Sequence, residues 1–184
     1  MARTPTTQIP LGFKAPDFSL SNTVNGQIIN LKDVSKKNGL VVMFICNHCP
    51  FVVHVVDELV SLAKDYQNQE IGFVAISSND VVNYPEDNPD KMKKLALEKD
   101  FSFPYLYDES QEVAKNYDAA CTPDFSVFDG NLKCVYRGQL DDSRPSNNEP
   151  VNGKDLRLTL DYMIQNKKID FIQKPSIGCN IKWK

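Results

Sequence analysis

Two nearly continuous apolar runs lie in the first half of the chain. Residues 40–45 and 71–77 are almost entirely hydrophobic, which is the pattern of strands buried on both faces of a sheet. Between them, residues 50–66 place apolar side chains every three or four positions, and Pro50 suits the first turn of a helix. The pattern predicts a β–α–β unit with two parallel strands.

Two pairs of short alternating runs predict β-hairpins. Each pair flanks a turn dipeptide that ends in glycine: Asn-Gly lies within residues 18–31, and Asp-Gly lies within residues 125–136. Such dipeptides favour the tight turns that join neighbouring antiparallel strands. We therefore predict one hairpin before the β–α–β unit and a second hairpin well after it.

Shorter elements are predicted around this centre. Residues 83–90 hold two prolines and several acidic residues, which indicates an exposed loop. A brief strand is expected at residues 103–107, and helices are expected at residues 91–99, 110–117 and 155–165. The loop, the first of these helices and the brief strand together form a mid-chain insertion.

No internal repeat or low-complexity linker divides the sequence. We therefore predict a single α/β domain over residues 1–184, with a mixed central β-sheet flanked by helices and an N-terminal β-hairpin. Residues 1–10 are expected to form a flexible arm, and residues 167–184 a C-terminal tail.

Charge and composition argue against several classes of protein. A net charge of −3 does not suit binding to nucleic acid or to an anionic membrane. No apolar run approaches the roughly 20 residues that span a bilayer, and residues 1–20 lack the continuous apolar segment of an export signal. The five cysteines do not have the spacing of a secreted disulfide framework, so we expect a cytoplasmic protein.

Cys46 and Cys49 are the strongest chemical signal in the sequence. They lie three positions apart, at the turn from the buried strand into the helix at residues 50–66. The unpaired N–H groups and partial positive charge of a helix N-terminus favour thiolate over thiol. Two thiols at this position predict thiol–disulfide exchange through a reversible Cys46–Cys49 disulfide, with no other cofactor.

His48 lies between the two cysteines. A histidine there is a candidate for stabilising a neighbouring thiolate by charge or by a hydrogen bond. The alternative is a solvated loop residue without a chemical role.

The order of elements, the Cys-x-x-Cys turn and Thr122-Pro123 before the second hairpin resemble the thioredoxin-like superfamily. The opening LGFKAPDF at residues 11–18 and the mid-chain insertion are similar to its alkyl hydroperoxide reductase and peroxiredoxin-like branch. The resemblance implies a thioredoxin-like fold and a role in redox homeostasis. It also implies that Pro123 follows a cis peptide bond, and that the loop at Thr122 and Pro123 faces the dithiol and binds substrate.

The order in which the two cysteines react is left open. In related sites the first cysteine is the exposed nucleophile, which implies that Cys46 attacks a substrate disulfide and that Cys49 resolves the mixed disulfide. A helix that begins at Pro50 would instead give Cys49 more of the field at the helix end, as for the attacking cysteine of peroxiredoxins. Cys121, two residues before Pro123, is a possible additional redox thiol or else a small buried residue.

A peroxiredoxin-like thiol peroxidase in which Cys49 attacks peroxide is the alternative enzyme. The peroxiredoxin pattern places a proline and then a threonine or serine ahead of the attacking cysteine, and here Val42 and Cys46 hold those positions. The expected arginine is missing near Pro123, and Arg137 is the nearest candidate by sequence. Because peroxide reduction needs donors that polarise the O–O bond, we favour the thiol–disulfide oxidoreductase.

Two non-enzymatic functions stay open, a copper-binding protein and a silent thioredoxin-fold interaction module. A copper protein would want a distal histidine near the dithiol, whereas His48 and His54 lie in one local segment. A silent module would lack a motif cysteine, and both are present. We therefore expect no metal, a disulfide-bearing protein, small thiol or peroxide as substrate, an electron-donating reductase as partner, and neither a nucleic acid nor a membrane.

Overall fold

The computed structural model describes residues 3–184, so residues 1 and 2 of the predicted arm lie outside the described part of the chain. The α-helices are α1 (Leu31–Val34), α2 (Pro50–Tyr66), α3 (Pro89–Glu98), α4 (Glu112–Asn116) and α5 (Lys154–Ile164). The strands are β1 (Arg3–Pro5), β2 (Ser19–Asn22), β3 (Ile28–Asn30), β4 (Gly39–Phe44), β5 (Ile71–Ser77), β6 (Tyr105–Tyr107), β7 (Cys121–Thr122), β8 (Asp124–Phe128), β9 (Cys134–Gly138) and β10 (Ile177–Asn180).

Seven strands form one mixed sheet in the order β3-β2-β6-β5-β4-β8-β9. β5 is parallel to both β4 and β6, and the other neighbouring pairs are antiparallel. Helix α2 connects the parallel strands β4 and β5 as predicted, and β2–β3 and β8–β9 are the two predicted hairpins. The prediction of a mixed α/β sheet flanked by helices is confirmed.

The side chains of β4 alternate between two hydrophobic clusters. Val41 and Met43 pack with the apolar face of α2, which includes Val55 and Leu59. Leu40, Val42 and Phe44 pack on the opposite face of the sheet. All six residues of β4 are buried, because the strand is covered on both faces. The end of this strand is therefore held firmly, and it sets the position from which the chain turns into α2.

A second, three-stranded sheet joins the two ends of the chain in the order β1-β10-β7. Arg3–Pro5, within the arm predicted at residues 1–10, pairs antiparallel with β10. The tail likewise contains an ordered strand, since β10 pairs with both β1 and β7. These short strands are stabilised by backbone pairing between distant segments.

The loop predicted at residues 83–90 is only partly exposed. A 3-10 turn at Pro85–Asp87 buries Asp87 completely, so the expectation of an exposed loop is wrong at this residue. The physical reason is that its carboxylate is hydrogen-bonded to the turn after β4, as described below. Over residues 3–184 no helix has the length and apolar character needed to cross a bilayer.

Candidate active site

The turn from β4 into α2 carries both cysteines of the predicted pair. Cys49 is the N-cap residue of α2, with an extended backbone (φ −68°, ψ 120°), and Pro50 opens the helix. Proline is well suited to this position because it has no N–H to leave unpaired. The helix therefore begins after Cys49, and this cysteine lies closer than Cys46 to the positive end of the helix dipole.

The sulfur atoms of Cys46 and Cys49 are brought together, as the sequence predicts. Both lie against Thr122, and each thiol shifts the pKa of the other. Cys46 Sγ lies 3.3 Å from the hydroxyl of Thr122, and the Cys49 thiol donates to the carbonyl oxygen of Thr122 at 3.1 Å. All five cysteines of the chain are thiols in this structure.

The two thiols differ in acidity. The hydrogen bond with Cys46 lowers the pKa of Cys49 well below the usual range of a thiol, and the contacts of Cys49 with Cys179 and Thr122 act in the same direction against the effect of burial. The pKa of Cys46 is raised well above that range by its hydrogen bond to Cys49, by burial and by the charge of Asp87. Cys49 is thus the favoured thiolate and Cys46 the favoured proton donor, which favours the second of the two orders that the sequence left open.

Neither sulfur is open to solvent. Cys46 is 1% exposed and Cys49 is fully buried, so the expectation that Cys46 is an exposed nucleophile is wrong for this structure. Thr122 on one side and the tail strand β10 on the other cover the pair. A substrate therefore reaches the sulfurs only if part of this cover moves.

Thr122 and Pro123 adjoin the dithiol, and the peptide bond between them is cis, which confirms that expectation. The protein's own tail covers this loop. β10 pairs with β7 in the register Cys179 to Thr122, and Ser176 donates to the carbonyl oxygen of Pro123 at 2.6 Å. That this loop binds substrate stays a prediction, and the structure adds that β10 is already paired along it.

Asp87 is a buried acid at the site that the sequence analysis did not identify. Its carboxylate accepts hydrogen bonds from the backbone N–H of Asn47 at 2.8 Å and of His48 at 3.2 Å. It also accepts from the Nδ1 of His48 at 2.6 Å and from the side-chain amide of Asn79 at 2.8 Å. These bonds fix the turn between the two cysteines and the orientation of the His48 ring.

His48 is partly buried beside this carboxylate, which excludes the simple solvated alternative. Its ring stacks on Tyr84, with the centroids 5.8 Å apart and the planes within 8° of each other. A ring nitrogen of His48, Cys46 Sγ and a carboxylate oxygen of Asp87 all lie within 4.8 Å of one another. The position allows His48 to act on Cys46, and its predicted role at a thiolate stays a prediction.

The same three residues are also the group best placed to hold a metal ion among the residues described. However, the Asp87 carboxylate already accepts four hydrogen bonds from the protein. A metal ion would have to replace the short bond between His48 Nδ1 and Asp87. The donor set therefore fits a hydrogen-bonded histidine better than a metal centre.

Cys121 and Arg137 were the other candidates from sequence. Cys121 is fully buried; its thiol donates to the carbonyl oxygen of Pro123 at 3.5 Å, and burial raises its pKa far above the usual range of a thiol. Arg137 donates to Ser126 Oγ at 2.9 Å and to the carbonyl oxygens of residues 7 and 118, and it lies 3.9 Å from Asp124. Its guanidinium is thus occupied within the protein.

The chain is similar to one protein family and to several solved structures. The AhpC/TSA family model matches residues 11–137. An uncharacterized conserved protein from Geobacillus kaustophilus is similar over 100% of this chain and 97% of its own, with 57% identity and a TM-score of 0.98. A hypothetical protein from Sinorhizobium meliloti is similar over 98% of both chains, with 43% identity and a TM-score of 0.96.

A peroxidoxin from Mycobacterium tuberculosis shares the fold at 18% identity, with a TM-score of 0.63 over 89% of this chain and 100% of its own. No curated protein matches the chain significantly. The family match extends from before β2 into β9 and so includes both cysteines of the turn. The chain belongs to the AhpC/TSA family, a peroxiredoxin-like branch of the thioredoxin-fold redox proteins.

Proposed function

We propose that this protein is a thiol–disulfide oxidoreductase that uses Cys46 and Cys49 as its dithiol. The observation that carries the proposal is the meeting of both sulfurs at Thr122 beside the start of α2, with Cys46 Sγ 3.3 Å from its hydroxyl and Cys49 Sγ 3.1 Å from its carbonyl oxygen. The lowered pKa of Cys49 and the raised pKa of Cys46 support it. A thiolate is the attacking species in disulfide exchange, and a second thiol within reach completes the reaction.

In the proposed reaction the Cys49 thiolate attacks one sulfur of a substrate disulfide. A mixed disulfide forms, and the other substrate sulfur leaves as a thiolate that takes up a proton. Cys46 then attacks Cys49 Sγ, which forms the Cys46–Cys49 disulfide and releases the second substrate thiol. An external dithiol reductant or a reductase restores the two thiols.

Formation of the mixed disulfide also activates Cys46. The largest cause of the raised pKa of Cys46 is its hydrogen bond to Cys49, and the charge of Cys49 adds to it. Both effects end when Cys49 Sγ becomes part of a neutral disulfide. Cys46 is then easier to ionise at the moment when its attack is required.

A thiol peroxidase is the second candidate. The depressed pKa of Cys49 at the N-terminus of a helix and the membership of the AhpC/TSA family favour it. Against it, the donors of Arg137 are occupied within the protein, and Cys46 stands where a hydroxyl donor would be expected. Peroxide reduction depends on such donors, so we rank it below disulfide exchange.

One experiment compares both activities in four proteins. The wild type, Cys46→Ser, Cys49→Ser and Cys134→Ser are assayed for reduction of insulin disulfides by dithiothreitol and for consumption of hydrogen peroxide. Cys134 is a matched control because it is a buried cysteine in β9, outside the site.

The proposal predicts that insulin reduction is lost in both motif variants and retained in Cys134→Ser. Peroxide consumption that survives Cys46→Ser and disappears in Cys49→Ser would favour the peroxidase instead. Insulin reduction that is equal in all four proteins would show that the dithiol is not the reactive group.

A further inference from the structure

A third sulfur lies against the proposed dithiol. Cys49 Sγ and Cys179 Sγ are 2.9 Å apart, although the two residues are separated by 130 positions in the chain. A disulfide bond is about 2.05 Å long, so a small movement would bring these sulfurs to bonding distance. We propose that Cys179 is a third redox-active thiol, which exchanges with Cys49.

The fold places Cys179 at this position by close backbone packing. β10 pairs with β7 so that Cys179 lies opposite Thr122, whose own carbonyl oxygen and hydroxyl contact the two motif cysteines. Gly178 makes the approach possible: a Cβ at this residue would lie 2.0 Å from the carbonyl oxygen of Thr122. The missing side chain allows β10 to reach the depth at which Cys179 meets Cys49.

β10 also lies along the loop at which an extended substrate peptide was predicted to bind. Addition of a strand to an open backbone edge is a common way to recognise a peptide. Here the chain's own tail supplies that strand and brings a cysteine to Cys49. In this position Cys179 occupies the place of a substrate thiol in a mixed disulfide.

The proposed step rests on the dithiol function and begins from its oxidised form. The thiolate of Cys179 attacks Cys49 Sγ in the Cys46–Cys49 disulfide. The Cys49–Cys179 bond forms as the Cys46–Cys49 bond breaks, and Cys46 leaves as a thiolate that takes up the proton lost by Cys179. One disulfide replaces another, so no external oxidant or reductant is consumed.

Oxidation of Cys49 also favours ionisation of Cys179. Burial, the hydrogen bond to Cys49 and the charge of Cys49 raise the pKa of the Cys179 thiol. The last two effects require Cys49 as a thiolate and end when its sulfur enters a disulfide, while the charge of Lys182 continues to act in the opposite direction. Ionisation of the Cys179 thiol is therefore opposed more strongly in the reduced protein than in the protein with oxidised Cys49.

The exchange moves the disulfide from the strand–helix turn to the tail. It returns Cys46 to the thiol state, and it links β10 covalently to the start of α2. The tail then cannot separate from the site until a reductant attacks the new bond. Cys179 would in this way control both the redox state of Cys46 and the cover over the dithiol.

The test isolates the new pair in the Cys46→Ser protein, which keeps four of the five cysteines. The protein is treated with the thiol oxidant diamide, remaining thiols are alkylated under denaturing conditions, and disulfides are mapped by mass spectrometry. Cys46→Ser/Cys179→Ser removes the proposed partner, and Cys46→Ser/Cys134→Ser removes a buried cysteine elsewhere. The Cys179→Ser protein, which keeps Cys46 and Cys49, is oxidised and mapped in parallel.

We expect the number of alkylated thiols in Cys46→Ser to fall from four to two, with Cys49 linked to Cys179 within one chain. Without Cys179 all three remaining thiols should stay open to alkylation, and without Cys134 the Cys49–Cys179 link should form in unchanged yield. Absence of the link in Cys46→Ser, or a link only between chains, would overturn this inference even if the Cys179→Ser protein forms Cys46–Cys49. If the Cys179→Ser protein forms no Cys46–Cys49 disulfide, the proposed dithiol function fails instead.

Discussion

The depressed pKa of Cys49 makes the stability of the protein depend on pH near neutrality. A cysteine in an unfolded chain titrates near pH 8.5, whereas the hydrogen bond from Cys46 holds the pKa of folded Cys49 well below this value. Between the two values the folded protein carries a thiolate and the unfolded chain a thiol. The unfolded state binds more protons there, so the free energy of unfolding rises with pH.

The size of the effect follows from one proton. A full difference of one bound proton changes the free energy of unfolding by about 1.4 kcal/mol per pH unit. Cys46 and Cys179, whose pKa values are raised, contribute to the pH dependence of the free energy of unfolding with the opposite sign. Their contribution is complete below about pH 8.5 and is lost as pH rises further, because unfolded thiols then ionise while the folded ones stay protonated. The window for Cys49 alone is therefore about pH 6 to 7.5.

The measurement is urea unfolding of wild type, Cys49→Ser and Cys134→Ser under reducing conditions at several pH values in that window. Other ionisable groups are common to all three proteins, so the difference between proteins isolates each cysteine. Cys134 is a suitable control because burial raises its pKa, and it stays protonated in both states across the window. The free energy of unfolding of Cys134→Ser should therefore change with pH in parallel with that of the wild type.

We expect the stability difference between wild type and Cys49→Ser to grow by about 1 kcal/mol or more from pH 6 to 7.5. Curves that stay parallel over the whole window would show that folded Cys49 keeps its proton. That result would remove the reason for assigning the attack to this residue.

Three further substitutions test the surroundings of the dithiol. Asp87→Asn should destabilise the protein by about 1.5–3 kcal/mol, because it weakens the hydrogen bonds that hold the turn. It should also lower the pKa of Cys46, so that thiolate absorbance appears at lower pH, and an unchanged titration would contradict the role of this charge. Gly178→Ala should lower the free energy of unfolding in urea by about 1–3 kcal/mol, because its Cβ would meet the carbonyl oxygen of Thr122. A variant as stable as the wild type would show that β10 packs less closely against β7. Cys121→Ser should leave the rate of insulin reduction unchanged, because burial keeps this thiol protonated; a large loss would make it a third member of the reactive set.

The elements around the cysteines were largely predictable because their signals are local. The apolar run before Cys46 gave the buried strand, and Pro50 with its helical periodicity gave α2 with the bounds Pro50–Tyr66. Both hairpins followed from two-residue turn signals. The cis bond before Pro123 came from a resemblance, since nothing in the local sequence selects it.

The partners of the dithiol were not predictable, because they come from distant positions. Asp87 lies 39 residues after His48 in a loop whose composition indicates exposure, and only folding shows that its carboxylate binds the turn. β1 and β10 have three and four residues, too few to show a periodic pattern. The contact of Cys179 with Cys49 likewise depends on the pairing of β10 with β7, which no local pattern shows.

Whether Cys46 and Cys49 form one reversible redox pair is decided by a redox titration of the Cys179→Ser protein. The protein is equilibrated in glutathione buffers of graded potential, quenched by alkylation and analysed by mass spectrometry. We predict a single two-electron transition, with a tenfold change in the oxidised-to-reduced ratio per about 30 mV, and a disulfide between Cys46 and Cys49. A protein that keeps these two thiols reduced across the whole range, or that pairs either with another cysteine, would contradict the account.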